Sequence, residues 1–144
     1  MKKIIKVLNS EAETKKFGQE LAKSFKGGEV IGLIGELGAG KTSLVKGLAL
    51  GLGVKKNITS PTFIIMNIYK VKHEKIKNLV HVDAYRIKKG QALLGIGLGD
   101  YLGDPQSITI IEWADLVPDI LNKKVTIIKL KHLGGDKRKI SINY

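Results

Sequence analysis

The spacing of apolar residues changes period several times along the chain, and each change marks an element. The first stretch, "MKKIIKVLNS", carries two lysines and then a short apolar run. Lys6 interrupts that run and no small-residue cleavage site follows it, so it reads as a first β-strand rather than a leader peptide. "SEAETKKFGQELAKSF", Ser10 to Phe25, switches to a helical period: Phe17, Leu21 and Phe25 share one face at i, i+4 spacing. Ser10 is the expected N-cap, with Glu13 three residues later as its capping-box partner. Gly27 and Gly28 are expected to end the helix. "EVIGLIG" is a short apolar strand, and "TSLVKGLALGLG" returns to helix through Leu44, Val45, Leu48 and Leu52, with Gly53 as the C′ residue.

Two strands follow, "TFIIMNIYKV" and "IKNLVHVD", joined by the polar "KHEK". "KKGQALLGIGLGDYLGD" contains Gly90, Gly95, Gly97, Gly99 and Gly103, and each glycine costs a helix interior roughly 1 kcal/mol. Short helical turns and mobility are expected there. "SITIIEW" is another strand, and "VTIIKLKHL" with "KRKISIN" forms a terminal hairpin around "GGDK". Strand–helix units mixed with hairpins predict a single three-layer α/β domain over residues 1–144, with a mixed β-sheet.

Charge adds something the pattern does not carry. Lys and Arg number 25 against 13 Asp and Glu, a formal charge of +12. Such a chain is attracted to phosphate-rich or acidic partners. The lysines are scattered and aromatics make up only 6%, which argues against a stacking platform for single-stranded nucleic acid. No apolar run approaches the ~20 residues of a membrane span. The chain has no cysteine, hence no disulfide framework or thiolate metal site, in keeping with a cytoplasmic protein.

The chemistry is concentrated in "GELGAGKTSL", Gly35 to Leu44. Gly35, four residues, Gly40, Lys41 and Thr42 match the phosphate-binding P-loop pattern in full. Gly35, Gly38 and Gly40 permit backbone angles closed to other residues and let amides approach phosphate oxygens. Those amides and the positive end of the following helix favour an anion. Lys41 is placed to reach the β- and γ-phosphates, and the Thr42 hydroxyl to bind Mg²⁺. The match follows an apolar strand and opens an amphipathic helix, the context that gives the pattern its meaning.

A P-loop needs an acid for its metal. "LVHVD" ends an apolar strand at Asp83, the candidate Walker-B residue, and "TIIEW" ends another at Glu112. Ligands of α/β sheets bind at the carboxyl ends of strands, so both carboxylates would reach the phosphate end. Glu112 either completes the metal shell or orients the attacking water. The guanine-reading N-K-x-D pattern fails in "NKKV", which favours ATP by elimination.

"GELGAGKTSLVKGLALGLG", "ITSPTF", "HVDAYRI" and "IIEW", in this order, resemble the bacterial TsaE (YjeE) ATPases, and the likeness covers nearly the whole chain. The resemblance implies a compact P-loop domain that binds ATP with Mg²⁺. It implies TsaD and TsaB as partners in making N6-threonylcarbamoyladenosine in tRNA, with TsaD performing the transfer and tRNA met through the complex. ATP binding and hydrolysis would then support turnover of TsaB–TsaD. By position, the resemblance puts the nucleotide on Gly35, Gly38, Ala39, Gly40, Lys41, Thr42 and Ser43. It puts Mg²⁺ on Thr42, Asp83 and Glu112, and base contacts near Glu11, Thr14 and Gly135. Thr62, in "SPTF", falls on a segment that either senses the γ-phosphate or merely turns the chain, and Trp113 packs near the nucleotide or in the core. Arg86 matches "HVDAYRI" and is either a charge-stabilising or partner-contacting group or half of a structural salt bridge.

The stretch after "HVDAYRI" is poorer in acids and richer in glycine than the family pattern. Two other functions fit a P-loop. A small kinase would need an arginine-rich lid, yet the chain has only Arg86 and Arg138 and no identifiable arginine finger. A nucleic-acid module using the P-loop as a switch would bind tRNA by itself in a salt-sensitive manner.

Overall fold

The computed structural model describes residues 3–36, 38–54, 58, 66–121 and 124–143. Seven strands form one sheet: β1 (Lys3–Leu8), β2 (Val30–Ile34), β3 (Met66–Lys70), β4 (Asn78–Asp83), β5 (Ser107–Glu112), β6 (Thr126–Gly134) and β7 (Lys137–Asn143). Their spatial order is β1-β7-β6-β2-β5-β4-β3. β2 is parallel to both β5 and β6, and β4 is parallel to β5. The antiparallel pairs β1–β7, β6–β7 and β3–β4 complete the sheet on either side. The central strands are read easily because a strand covered on both faces must be apolar throughout. All six residues of β5 are buried. The mixed α/β architecture expected from the sequence is the one found.

The helices are α1 (Glu11–Ala22), α2 (Lys41–Gly51) and the short α3 (Gln91–Gly95). On one face of the sheet, Leu44 and Leu48 of α2 pack with Ile31, Leu33, Ile108 and Ile110. On the other, Val80, Val82 and Ile111 are covered by Leu93, Leu98, Ala114 and Val117. Neighbours along a strand contribute to opposite clusters, as the two-residue period of a strand demands. The glycine-rich stretch forms α3 and a single 3-10 turn at Leu98–Asp100, consistent with helices kept short by their glycines.

Ser10 caps α1 by accepting from the Glu13 amide at 3.1 Å. Glu13 reaches back one residue further than a capping box requires, to the amide of Asn9. α1 ends at Ala22, before the expected glycines. Phe25 still reaches the core on the turn that follows.

The packing of α1 on α2 is made by glycine. A Cβ built on Gly18 would lie 2.6 Å from the Leu44 carbonyl oxygen, and one on Gly47 would overlap the Lys15 carbonyl. The two backbones therefore touch directly. That contact brings the first turn of α1 beside the first turn of α2, where the P-loop ends.

Candidate functional site

β2 delivers the chain into the phosphate loop at the carboxyl edge of the parallel strands. Gly38 and Gly40 adopt φ of 79° and 96°, the left-handed region that a side chain disfavours. Gly40 is also the N-cap of α2, and no side chain caps that helix. Its first amides are thus left for an external acceptor, with the positive end of the helix dipole behind them.

Lys41 is nearly buried, 6% exposed. Its ammonium donates to the Gly35 carbonyl and lies 3.6 Å from the centroid of the Trp113 ring. Burial lowers its pKa below the ordinary lysine value, against the opposing pull of Glu112, Asp83 and Asp115. An amine so placed is held by a carbonyl and a ring and kept short of water, a setting in which a bound polyanion favours the charged form.

The two acids are brought together by register. Asp83 and Glu112 are aligned partners at the ends of adjacent parallel strands β4 and β5. Asp83 Oδ1 accepts from the Tyr85 amide at 3.0 Å. Glu112 is buried, and its Oε2 lies 2.6 Å from Nε2 of the buried His81. Trp113 immediately follows. It has φ 60° and ψ 40°, the one positive-φ residue other than glycine among those described. A bulky residue held there is an outlier that its surroundings must enforce. The Tyr85 ring lies 4.8 Å from it, centroid to centroid. Trp113 therefore packs beside the phosphate loop and over its lysine.

α1 closes the other wall. Ser43 Oγ donates to Glu11 Oε1 at 3.0 Å, and the buried Thr14 hydroxyl donates to the Ser10 carbonyl at 3.2 Å. The β6–β7 hairpin contributes the last side chains, Asp136 and Arg138. Together these groups enclose a cleft of about 260 Å³.

Of the residues singled out in the sequence, Glu11, Thr14, Gly38, Gly40, Lys41, Thr42, Ser43, Asp83 and Glu112 line this cleft, and Trp113 joins them. Three others do not line it. Gly35 supplies the carbonyl that holds Lys41, the buried Ala39 fills the inside of the loop, and Gly135 shapes the hairpin turn with φ 52°. Thr62 and the "SPTF" segment lie outside the described residues. Arg86 is exposed and forms no salt bridge among the described residues. Sequence reasoning missed His81 as the partner of Glu112, and it missed Asp136 and Arg138. One usable signal existed: Arg138 is one of two arginines among 25 basic residues, in a chain that otherwise uses lysine.

The donor set suits Mg²⁺. Among the described residues no three His, Cys, Asp or Glu side chains converge into a protein-only metal cage. Magnesium held by one or two carboxylates, phosphate oxygens and water needs none. A hydroxyl and two in-register carboxylates at the end of a phosphate loop are oxygen donors of that kind.

Fold and loop define the class: an α/β P-loop domain with its cleft at the carboxyl ends of the parallel strands. Comparison with known proteins narrows it. The family model "Threonylcarbamoyl adenosine biosynthesis protein TsaE" matches residues 8–140. A tRNA threonylcarbamoyladenosine biosynthesis protein TsaE from Rickettsia typhi is 35% identical over 136 residues, covering 94% of this chain and 91% of the relative. The Bacillus subtilis protein of the same name is 36% identical over 129 residues, 90% of this chain and 78% of its own. The crystal structure of YdiB from Bacillus subtilis superposes with a TM-score of 0.76 at 33% identity, over 98% of this chain and 84% of that one. The chain belongs to the TsaE family, which acts in tRNA threonylcarbamoyladenosine biosynthesis.

Proposed function

We propose that this protein binds ATP with Mg²⁺ in the cleft, hydrolyses it, and through that cycle supports turnover of a cytoplasmic TsaB–TsaD complex that modifies tRNA. The observation that carries the nucleotide reading is the setting of Lys41: a nearly buried ammonium beside Asp83 and Glu112, at a helix N-terminus whose amides no side chain caps.

Each group then has a role. The loop amides and Lys41 hold the phosphates, with Lys41 at the β/γ end. Thr42 and Asp83 would hold Mg²⁺, with Glu112 completing the shell or orienting water. The ion would neutralise charge that develops on the β–γ bridging oxygen. Water attacks the γ-phosphorus, the bond to the bridging oxygen breaks, and ADP leaves with the electron pair. His81 fixes one oxygen of Glu112 and so orients the carboxylate. No group found among the described residues reads guanine, so adenine nucleotides are the expected ligands.

A cleft that positions phosphate but receives no cation from a partner hydrolyses slowly, since a supplied arginine is worth ~10³–10⁵ in rate. The test is steady-state ATPase activity across a titration of TsaB–TsaD at two salt concentrations. Slow turnover alone and faster turnover in the complex is the expected result. A rate indifferent to the partners at both salts overturns the coupling. Tighter binding of GDP than ADP overturns the nucleotide assignment.

A further inference from the structure

The β6–β7 hairpin places an arginine against the phosphate loop from the side opposite the acids. In the sheet order, β5 and β4, which carry Glu112 and Asp83, lie on one side of β2. β6 and β7 lie on the other. Arg138, on β7, crosses back toward the loop, so that a Cβ built on Gly40 would lie 3.2 Å from its Nε and 3.4 Å from its Cγ. A side chain on Gly40 would press Arg138 aside by a few tenths of an ångström, and the φ of 96° there already favours glycine.

The guanidinium is held but not neutralised. Its Nη1 donates to the carbonyls of Gly135, at 2.8 Å, and Lys137, at 3.1 Å. Its Nε is buried and has no hydrogen-bond partner. The carboxylates that share the cleft wall are Glu11, which is engaged by Ser43, and Asp136, and neither forms a salt bridge with Arg138 among the described residues. A buried charged donor left unpaired costs free energy and calls for an acceptor that arrives later. Nη1 is tethered and Nε is enclosed beside Gly40, so a turn of the side chain, which lines the cleft, would present the Nε edge to it, and a planar fork suits phosphate oxygens.

Resting on the reading of the cleft as a nucleotide site, we propose that Arg138 is a phosphate-binding residue that grips the α/β portion of the nucleotide. Lys41 and the metal-binding acids serve the β/γ end from the far side of the loop. Arg138 therefore acts on ATP and ADP alike, and is not a γ-phosphate finger. This leaves the transition-state cation to a partner.

The experiment titrates ADP and a non-hydrolysable ATP analogue, both with Mg²⁺, into the wild type and into Arg138→Gln, Arg138→Lys and Arg138→Ala, with the melting temperature of each recorded. Loss of a charge-assisted contact predicts Kd values raised roughly ten- to a hundredfold in Arg138→Gln, by the same factor for both nucleotides. Arg138→Lys recovers part of the loss. Glutamine can keep a tether to the hairpin carbonyls without the charge, so full affinity in a folded Arg138→Gln would show that Arg138 only shapes the hairpin, and would overturn the proposal. A loss confined to the ATP analogue would overturn it in favour of a γ-phosphate contact. Should Arg138→Ala fail to fold, the glutamine and lysine variants decide. A wild type that binds neither nucleotide sinks the reading of the cleft itself, a different outcome from a wild type that binds and variants that bind equally.

Discussion

His81 and Glu112 meet 2.6 Å apart, Nε2 to Oε2, with both side chains withdrawn from solvent. They come from neighbouring parallel strands, on the face that carries the phosphate loop's helix. Removing either leaves a buried polar group without its partner, which costs about 1–3 kcal/mol. His81→Ala is therefore expected to lower unfolding stability by that amount in a urea titration. ATPase activity should fall as well, because Glu112 loses the group that orients it.

Asp83 is less buried than Glu112, and its Oδ1 accepts from a backbone amide, that of Tyr85, where Glu112 is held by a side chain. In the proposed metal role it would serve phosphoryl transfer rather than the core. Asp83→Ala is expected to fold normally and to lose at least about a hundredfold in hydrolysis, the scale of several kcal/mol of charge stabilisation. Near-normal turnover in a folded variant would remove Asp83 from the metal site.

The lowered pKa of Lys41 predicts a proton linkage. Burial disfavours the ammonium, so the folded-state pKa falls below the ordinary 10.5. Protonated Lys41 therefore weakens the empty fold, and that penalty fades as pH rises through the lowered value. A bound polyphosphate reverses the balance by pairing the ammonium and raising its pKa. Nucleotide binding should take up protons at pH values between the lowered pKa of the empty site and the raised pKa of the occupied one, and affinity should fall as pH climbs through the pKa of the empty site. Titration calorimetry in two buffers of different ionisation enthalpy measures the uptake, and proton release on binding would contradict this account.

The helix contact gives a packing prediction with its own control. Gly47→Ala drives a methyl into the Lys15 carbonyl of α1, and nothing there is a flexible side-chain end that could yield. Destabilisation of about 1–3 kcal/mol is expected. Nucleotide affinity should weaken too, because α1 carries Glu11 and Thr14. A methyl on Gly95 meets no atom within 4 Å, so Gly95→Ala in α3 should be neutral or stabilise by up to about 1 kcal/mol. Thermal melts of the two variants make the comparison.

Most of what neighbours along the chain decide was legible in the sequence, the end of α1 at Ala22 rather than at Gly27 and Gly28 excepted. The phosphate loop, the apolar strands on either side of the glycine-rich stretch, the Ser10 cap and the terminal hairpin all depend on residues a few positions apart. Local periodicity and backbone freedom are properties of short segments. What required the tertiary structure depends on strand order and register, which no local pattern states. Alignment of β4 with β5 sets Asp83 beside Glu112 and His81 against it. The return of β7 two strands from β2 carries Arg138 to Gly40. Glycines spread over α1 and α2 prove to be one backbone contact, and Trp113 is held in a left-handed conformation over Lys41. The chemistry of each group was written in its residue type, but the groups that meet were chosen by the path of the chain through the sheet.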